Sequence, residues 1–292
     1  MTTYKVVAFD MDGTILNNDH ELSEKTIMTL RELSSKASVV IATGRSVPSI
    51  TKYMKQLKLN QKYVYCIAYN GSGIYKYDSD NNDNDNDSME YLESFPLQPD
   101  AVRLLVNLTA NESTTVLQCY NAITGEVSVK QPKNEEQEAL CNRYESLVGR
   151  RQTRINDYEE VLGKASAKCL VLTNDPDSLI SKANLELPAD TFHIIKGSPY
   201  PFFVEFLPTN VNKSSSLKVL CDKYLNINMQ DVITFGDGDN DAEMLRDAGL
   251  GYAMLNANDN VKLAANRVTE KANFADGVAI EIEKLLSSGA FD

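Results

Sequence analysis

Asp10-Met11-Asp12-Gly13-Thr14 places two carboxylates two residues apart, directly after the apolar run Val6-Val7-Ala8-Phe9. On an extended backbone such residues project to the same side, and Gly13 lets the chain turn sharply as it leaves the strand. Two acids this close repel each other and call for a cation or a shared proton. The pattern suggests metal-assisted carboxylate chemistry, with one acid free to attack and the other free to move protons. A second acid cluster, Gly236-Asp237-Gly238-Asp239-Asn240-Asp241, follows Val232-Ile233-Thr234-Phe235. A helical turn would put Asp237 and Asp241 on one side, a donor set suited to a hard, oxygen-loving cation such as magnesium. Lys213 falls in the first turn of a predicted helix carrying Leu217, Leu220, Cys221 and Tyr224. A cation there opposes the helix dipole, at a cost of about 0.3–1 kcal/mol, unless something anionic lies nearby. Thr43-Gly44-Arg45 ends another apolar run and offers a hydroxyl and free N–H groups to an anion. Each feature also has a plain alternative, as an acidic turn, a solvated lysine or a capped helix.

The elements that must position these residues are short, continuous apolar runs: 6–9, 39–42, 64–68, 232–235 and 250–254. Continuous rather than alternating runs predict strands covered on both faces, in a parallel sheet. Amphipathic segments separate them. Ser23 is placed to cap a helix with Ile27, Leu30 and Leu33 on one face, and further helices are expected at 241–248 and 277–287. The alternation implies an α/β, doubly wound fold. The residues just past its strand ends share one crevice, which gathers Asp10, Thr43, Asn70 and Asp237. The middle of the chain breaks the rhythm. The Asp/Asn run at 78–88 reads as a loose loop, and neither acid run has the Gly and Glu of a calcium EF-hand. Helices at 99–110, 134–148 and 176–185, with strand-like runs at 116–120, 127–129, 168–172, 192–195 and 202–206, suggest an inserted α+β module. The division expected is a core of residues 1–87 and 205–292 and an insert of 88–204, with crossings that would make a hinge pair.

The chain has 292 residues, enough for one large domain or two ordinary ones. A net charge of −12 argues against nucleic acid or an anionic membrane as partner, and no apolar run is long enough to span a bilayer. Five scattered cysteines and an N-terminus that enters the first strand directly give the expectation of a cytoplasmic protein with reduced thiols. The two histidines, His20 and His193, are far apart in sequence and give little support to a histidine-based site.

Taken together, these four motifs resemble the haloacid dehalogenase superfamily of phosphohydrolases, and within it the Cof-type subfamily with an inserted C2B-type cap. The resemblance extends through Asn70-Gly71, 249–257 and Gly277-Val278-Ala279. It implies that Asp10 attacks phosphorus to form an aspartyl-phosphate. Mg²⁺ would be held by the Asp10 carboxylate, the Asp12 backbone carbonyl and Asp237. Thr43, Gly44 and Lys213 would bind the phosphoryl oxygens, and Asp241 would orient metal waters or Lys213. Asp12 would act as proton carrier, which requires it to be a weaker acid than Asp10. Arg45, Asn70 and Asn240 are candidate substrate or cap contacts. The implied partner is a small phosphate ester chosen by the cap, with sugar phosphates ahead of flavin or pyridoxal phosphates. A phosphomutase of the phosphomannomutase type and a non-catalytic phosphate-binding protein remain as alternatives.

Overall fold

The computed structural model describes residues 3–79, 89–197 and 201–292. The chain opens with β1 (Val6–Phe9), α1 (Glu24–Leu33), β2 (Ser38–Ala42), α2 (Val47–Leu57), β3 (Tyr63–Ala68), β4 (Gly73–Asp78) and β5 (Glu90–Ser94). It continues with α3 (Pro99–Thr109), β6 (Thr115–Asn121), β7 (Val127–Lys130), α4 (Glu135–Val148), β8 (Thr153–Ile155) and α5 (Glu159–Leu162). Then come β9 (Ser166–Thr173), α6 (Pro176–Glu186), β10 (Phe192–Lys196) and β11 (Phe203–Pro208). It ends with α7 (Lys213–Val219), β12 (Val232–Gly236), α8 (Ala242–Asp247), β13 (Leu250–Ala253), α9 (Asp259–Ala264), β14 (Arg267–Val268) and α10 (Gly277–Ser287).

Two compact units result, one of Met1–Glu93 with Asn212–Asp292 and one of Ser94–Val211. In the first, the strands run in the order β14-β13-β12-β1-β2-β3-β4-β5. Pairing is parallel from β14 to β3, and β4 turns back antiparallel on β3. This is the α/β, parallel-sheet fold read from the sequence. β1 is fully buried and lies between β2 and β12, where the strand order reverses. A crevice opens beyond the carboxyl ends of strands at such a point. Ser23 caps α1 by accepting from the Thr26 N–H at 3.0 Å. The buried face of α1 is Thr26, Thr29, Leu30 and Leu33, while Ile27 is only partly covered. β5 extends the first unit's sheet, so the chain leaves that unit beyond residue 93 rather than at the acid-rich run. Of that run, residues 80–88 lie outside the described residues.

The second unit holds a six-stranded sheet in the order β10-β11-β9-β6-β7-β8, antiparallel except between β7 and β8. Alternate residues Leu117, Cys119, Cys169, Val171, Val204 and Phe206 form one face of its core with residues of α3, α5 and α6. All five cysteines of the chain are buried and free. Among the described residues no helix is long and apolar enough to cross a membrane.

Candidate active site

Asp10 follows β1 directly, and its N–H donates to the Phe235 carbonyl on β12 at 2.9 Å. Gly13 turns the chain with φ +78°, and a Cβ there would stand 2.2 Å from Asp237 Oδ2. Glycine is therefore required twice over, by the backbone and by the approach of Asp237. The Thr14 hydroxyl donates to Asp237 Oδ1 at 2.9 Å.

Lys213 arrives from the far end of the sequence. Asn212 caps α7 in a reciprocal box with Ser215. A second glycine fixes where the helix begins, since Gly71 has φ +109° and a Cβ on it would meet the Asn212 carbonyl at 2.3 Å. The Ser216 hydroxyl donates to the Gly71 carbonyl at 2.5 Å. This docking against the end of β3 brings Lys213 Nζ to 2.5 Å from Asp10 Oδ1 and 2.7 Å from Asp241 Oδ1. The lysine side chain is wholly buried, with 7% of Asp10 and 1% of Asp241 exposed. The anion that would offset a cation in a first helical turn is thus supplied by both acid motifs at once.

Among the described residues, one group of acids has oxygens within 4.8 Å of one another: Asp10, Asp237 and Asp241. Three carboxylates against one ammonium leave an excess of negative charge. Burial pushes the Asp10 carboxyl well above its ordinary value; Lys213 opposes this, and Asp241 and Asp237 add to it. Asp237 is pushed up to about 6 by burial and then by Asp241, against the Thr14 hydroxyl. For Lys213, burial works against the charge, but the two carboxylates outweigh it and hold the amine protonated. Oxygen donors with surplus negative charge fit a hard divalent cation. Asp241 is the member least free to ligate one. Its Oδ1 is held by Lys213, and its Oδ2 accepts from the Asp237 and Gly238 N–H groups at 3.0 Å each.

Asp12 has a different environment. Its carboxylate, 43% exposed, takes a two-pronged contact from Arg45: Nε to Oδ2 at 2.7 Å and Nη2 to Oδ1 at 2.5 Å. His20 Nδ1 reaches Oδ1 at 3.0 Å. Partial burial would raise the carboxyl, but Arg45 and then His20 outweigh it and hold it below the usual carboxylate range. The protein's own groups thus push the two carboxyls in opposite directions, Asp10 up and Asp12 down, because each has a different set of neighbours.

The remaining sequence candidates sit beside these. Thr43 Oγ1 accepts from the Arg45 N–H at 3.2 Å, and the Thr43 carbonyl accepts from the Asn70 N–H at 3.0 Å. Asn70 has φ +56° and accepts from Asn240 Nδ2 at 2.8 Å. A Cβ on Gly44 would meet that same Asn70 Oδ1 at 2.9 Å. Asn70 and Asn240 thus bridge the β3 and β12 ends. Thr14, His20 and Tyr53 are participants that the sequence reading did not single out. Thr14 stood within a quoted motif. Tyr53 and His20 gave no signal, since only the fold brings them to Arg45.

Residues 7–282 match the family described as haloacid dehalogenase-like hydrolase. The chain belongs to this family. Among its relatives, the 5-amino-6-(5-phospho-D-ribitylamino)uracil phosphatase YcsE of Bacillus subtilis is 30% identical over 94% of this chain and 93% of its own. The phosphatase YitU of the same organism, named for the same compound, is 29% identical over 97% of each chain. A haloacid dehalogenase-like hydrolase from Bacteroides thetaiotaomicron superposes with a TM-score of 0.78 at 26% identity, over 97% of this chain and all of that one. Within the haloacid dehalogenase-like hydrolases, the chain is a phosphoric monoester hydrolase.

Proposed function

We propose that the protein is a Mg²⁺-dependent phosphatase of small phosphorylated metabolites that works through an aspartyl-phosphate on Asp10. The observation that carries the reading is the buried lysine shared between Asp10 and Asp241 at the sheet edge where Asp237 also lies. A carboxylate attacking a phosphate dianion needs positive charge beside it. Lys213 is held in the charged form within reach of Asp10, and Asp241 keeps it there. Mg²⁺ bound by Asp10 and Asp237 would neutralise charge on the transferring phosphoryl group and favour ionised Asp10. Thr43 and Gly44 would bind phosphoryl oxygens. Asp12, ionised against Arg45 and His20, would take up a proton as the anionic ester enters, give it to the leaving oxygen, and take one from the water that frees Asp10.

Sugar phosphates or related polyol phosphates are the proposed substrates, supported by two relatives named for a phosphate on a ribityl chain. The unit of residues 94–211 is proposed as the cap that selects among them.

The test is phosphate release from an aryl phosphate and a panel of sugar phosphates, with and without Mg²⁺. We expect turnover that needs the metal and falls by about 10⁴-fold or more in Asp10→Asn, since a carboxamide cannot attack. Full activity in excess chelator or in that variant overturns the reading. A phosphorylated sugar isomer formed without free phosphate would favour a mutase.

A further inference from the structure

We infer that His20 is a positioning residue for Asp12, holding its carboxylate where it meets the leaving group. The inference rests on the phosphatase reading above.

Arg45 grips Asp12 with a two-pronged contact, through Nε on Oδ2 and Nη2 on Oδ1. Such a fork fixes the plane of a carboxylate but leaves it free to slide with the arginine. His20 supplies a third contact from another segment, with Nδ1 3.0 Å from Oδ1. With Nδ1 protonated the ring donates to an ionised Oδ1; the same nitrogen lies 3.4 Å from Arg45 Nη2, so the ring meets both the carboxylate and its arginine.

The segment is built to present that ring. Asn17 Oδ1 accepts from the N–H groups of Asp19 and Glu21, at 3.0 and 2.9 Å. The Asn17 N–H donates to the Glu21 carbonyl, and the His20 N–H to the Asn17 carbonyl. His20 itself is held at φ +58°, an uncommon conformation for a residue with a side chain. Tyr53 ties this turn to the arginine. Its hydroxyl donates to the His20 carbonyl at 2.9 Å and accepts from Arg45 Nη1 at 3.4 Å, and its ring lies under the guanidinium. The Asn17 turn, Tyr53 and Arg45 thus hold the ring against a carboxylate two residues from Asp10. Its half-exposed contact contributes little to stability, so loss of His20 is expected to register in the chemistry rather than in folding.

A group that positions the proton donor matters only where the leaving group needs a proton. Phenyl phosphate expels a poor leaving group, whereas p-nitrophenyl phosphate expels a stabilised phenolate of nearly the same shape. The measured quantity is kcat/KM, which reports transfer to Asp10 and not the later release of phosphate. His20→Gly removes the ring while tolerating the backbone conformation, and His20→Asn restores an N–H donor. We expect His20→Gly to lower kcat/KM for phenyl phosphate about tenfold while p-nitrophenyl phosphate stays within about twofold. His20→Asn should recover most of the loss. An equal fall on both esters, no fall on phenyl phosphate, or no recovery with asparagine overturns the inference. Asp10→Asn is run alongside on both esters, and activity surviving there overturns the underlying phosphatase reading, whatever His20 does.

Discussion

Asp10 and Asp12 are two residues apart, yet the structure treats them in opposite ways. Asp10 is buried against one lysine and two more acids, and its proton is held more tightly than usual. Asp12 is nearly half exposed, gripped by an arginine and a histidine, and its proton is held less tightly. The first environment concentrates unlike charges where water cannot screen them. The second spreads them where it can. Residue type and spacing therefore place two carboxylates at one strand end, but the charges that the fold delivers decide which way each is pushed.

The largest contrast should appear on removing one cation from each environment. Lys213→Met leaves Asp10 and Asp241 facing each other without their counter-charge, and breaking a buried pair in this way costs about 3–5 kcal/mol. We expect a urea midpoint well below that of the parent, and activity reduced by at least about 10³-fold through lost charge beside phosphorus. Stability equal to the parent would show that the buried cluster is no tighter than a surface pair.

A smaller effect separates Asp237 from Asp12. With Asp237 pushed up to about 6, protons compete with a divalent cation as pH falls through that value. Calorimetric Mg²⁺ affinity should fall as the pH is lowered through 6, with Asp237 alone contributing up to about tenfold per pH unit. Asp12→Asn should leave that profile in place. A pH-independent affinity from 5 to 7 would contradict the charge crowding around Asp237.

The smallest effect is expected at the exposed end. Arg45→Gln breaks a half-exposed pair, and such pairs contribute about 0–1 kcal/mol. The urea midpoint should barely move. A loss approaching that of Lys213→Met would erase the distinction between the two environments.

Much of this architecture is legible in the sequence, because strands covered on both faces leave continuous apolar runs, as β1, β2 and β12 do. The short or edge strands β4, β5, β8 and β14 are harder to read. β4 begins at a glycine and alternates, and β14 is two residues long with both exposed. Lys213 could be picked out because a lysine in a first helical turn is an anomaly that asks for an anion. The Asp12 contacts could not. His20 is close in sequence, but its reach depends on a left-handed turn locked by Asn17, and Tyr53 depends on how α2 packs. The directions in which the two carboxyls are pushed depend on those same contacts.

The close approach of Gly71 to Asn212 has a consequence for how such a chain can be rearranged. The first unit's outgoing end is met by the Tyr224 hydroxyl, whose one proton is shared between Glu93 Oε2 at 3.1 Å and the Leu92 carbonyl at 3.2 Å. At its returning end the Asn212 carbonyl accepts from the Ser216 N–H at 3.2 Å and packs against Gly71. Both severed ends are thus clamped onto the segment of α7 and its continuation. Changes of length or sequence between residues 93 and 212 would therefore leave the two chain ends anchored within the first unit, where the acid and lysine cluster lies.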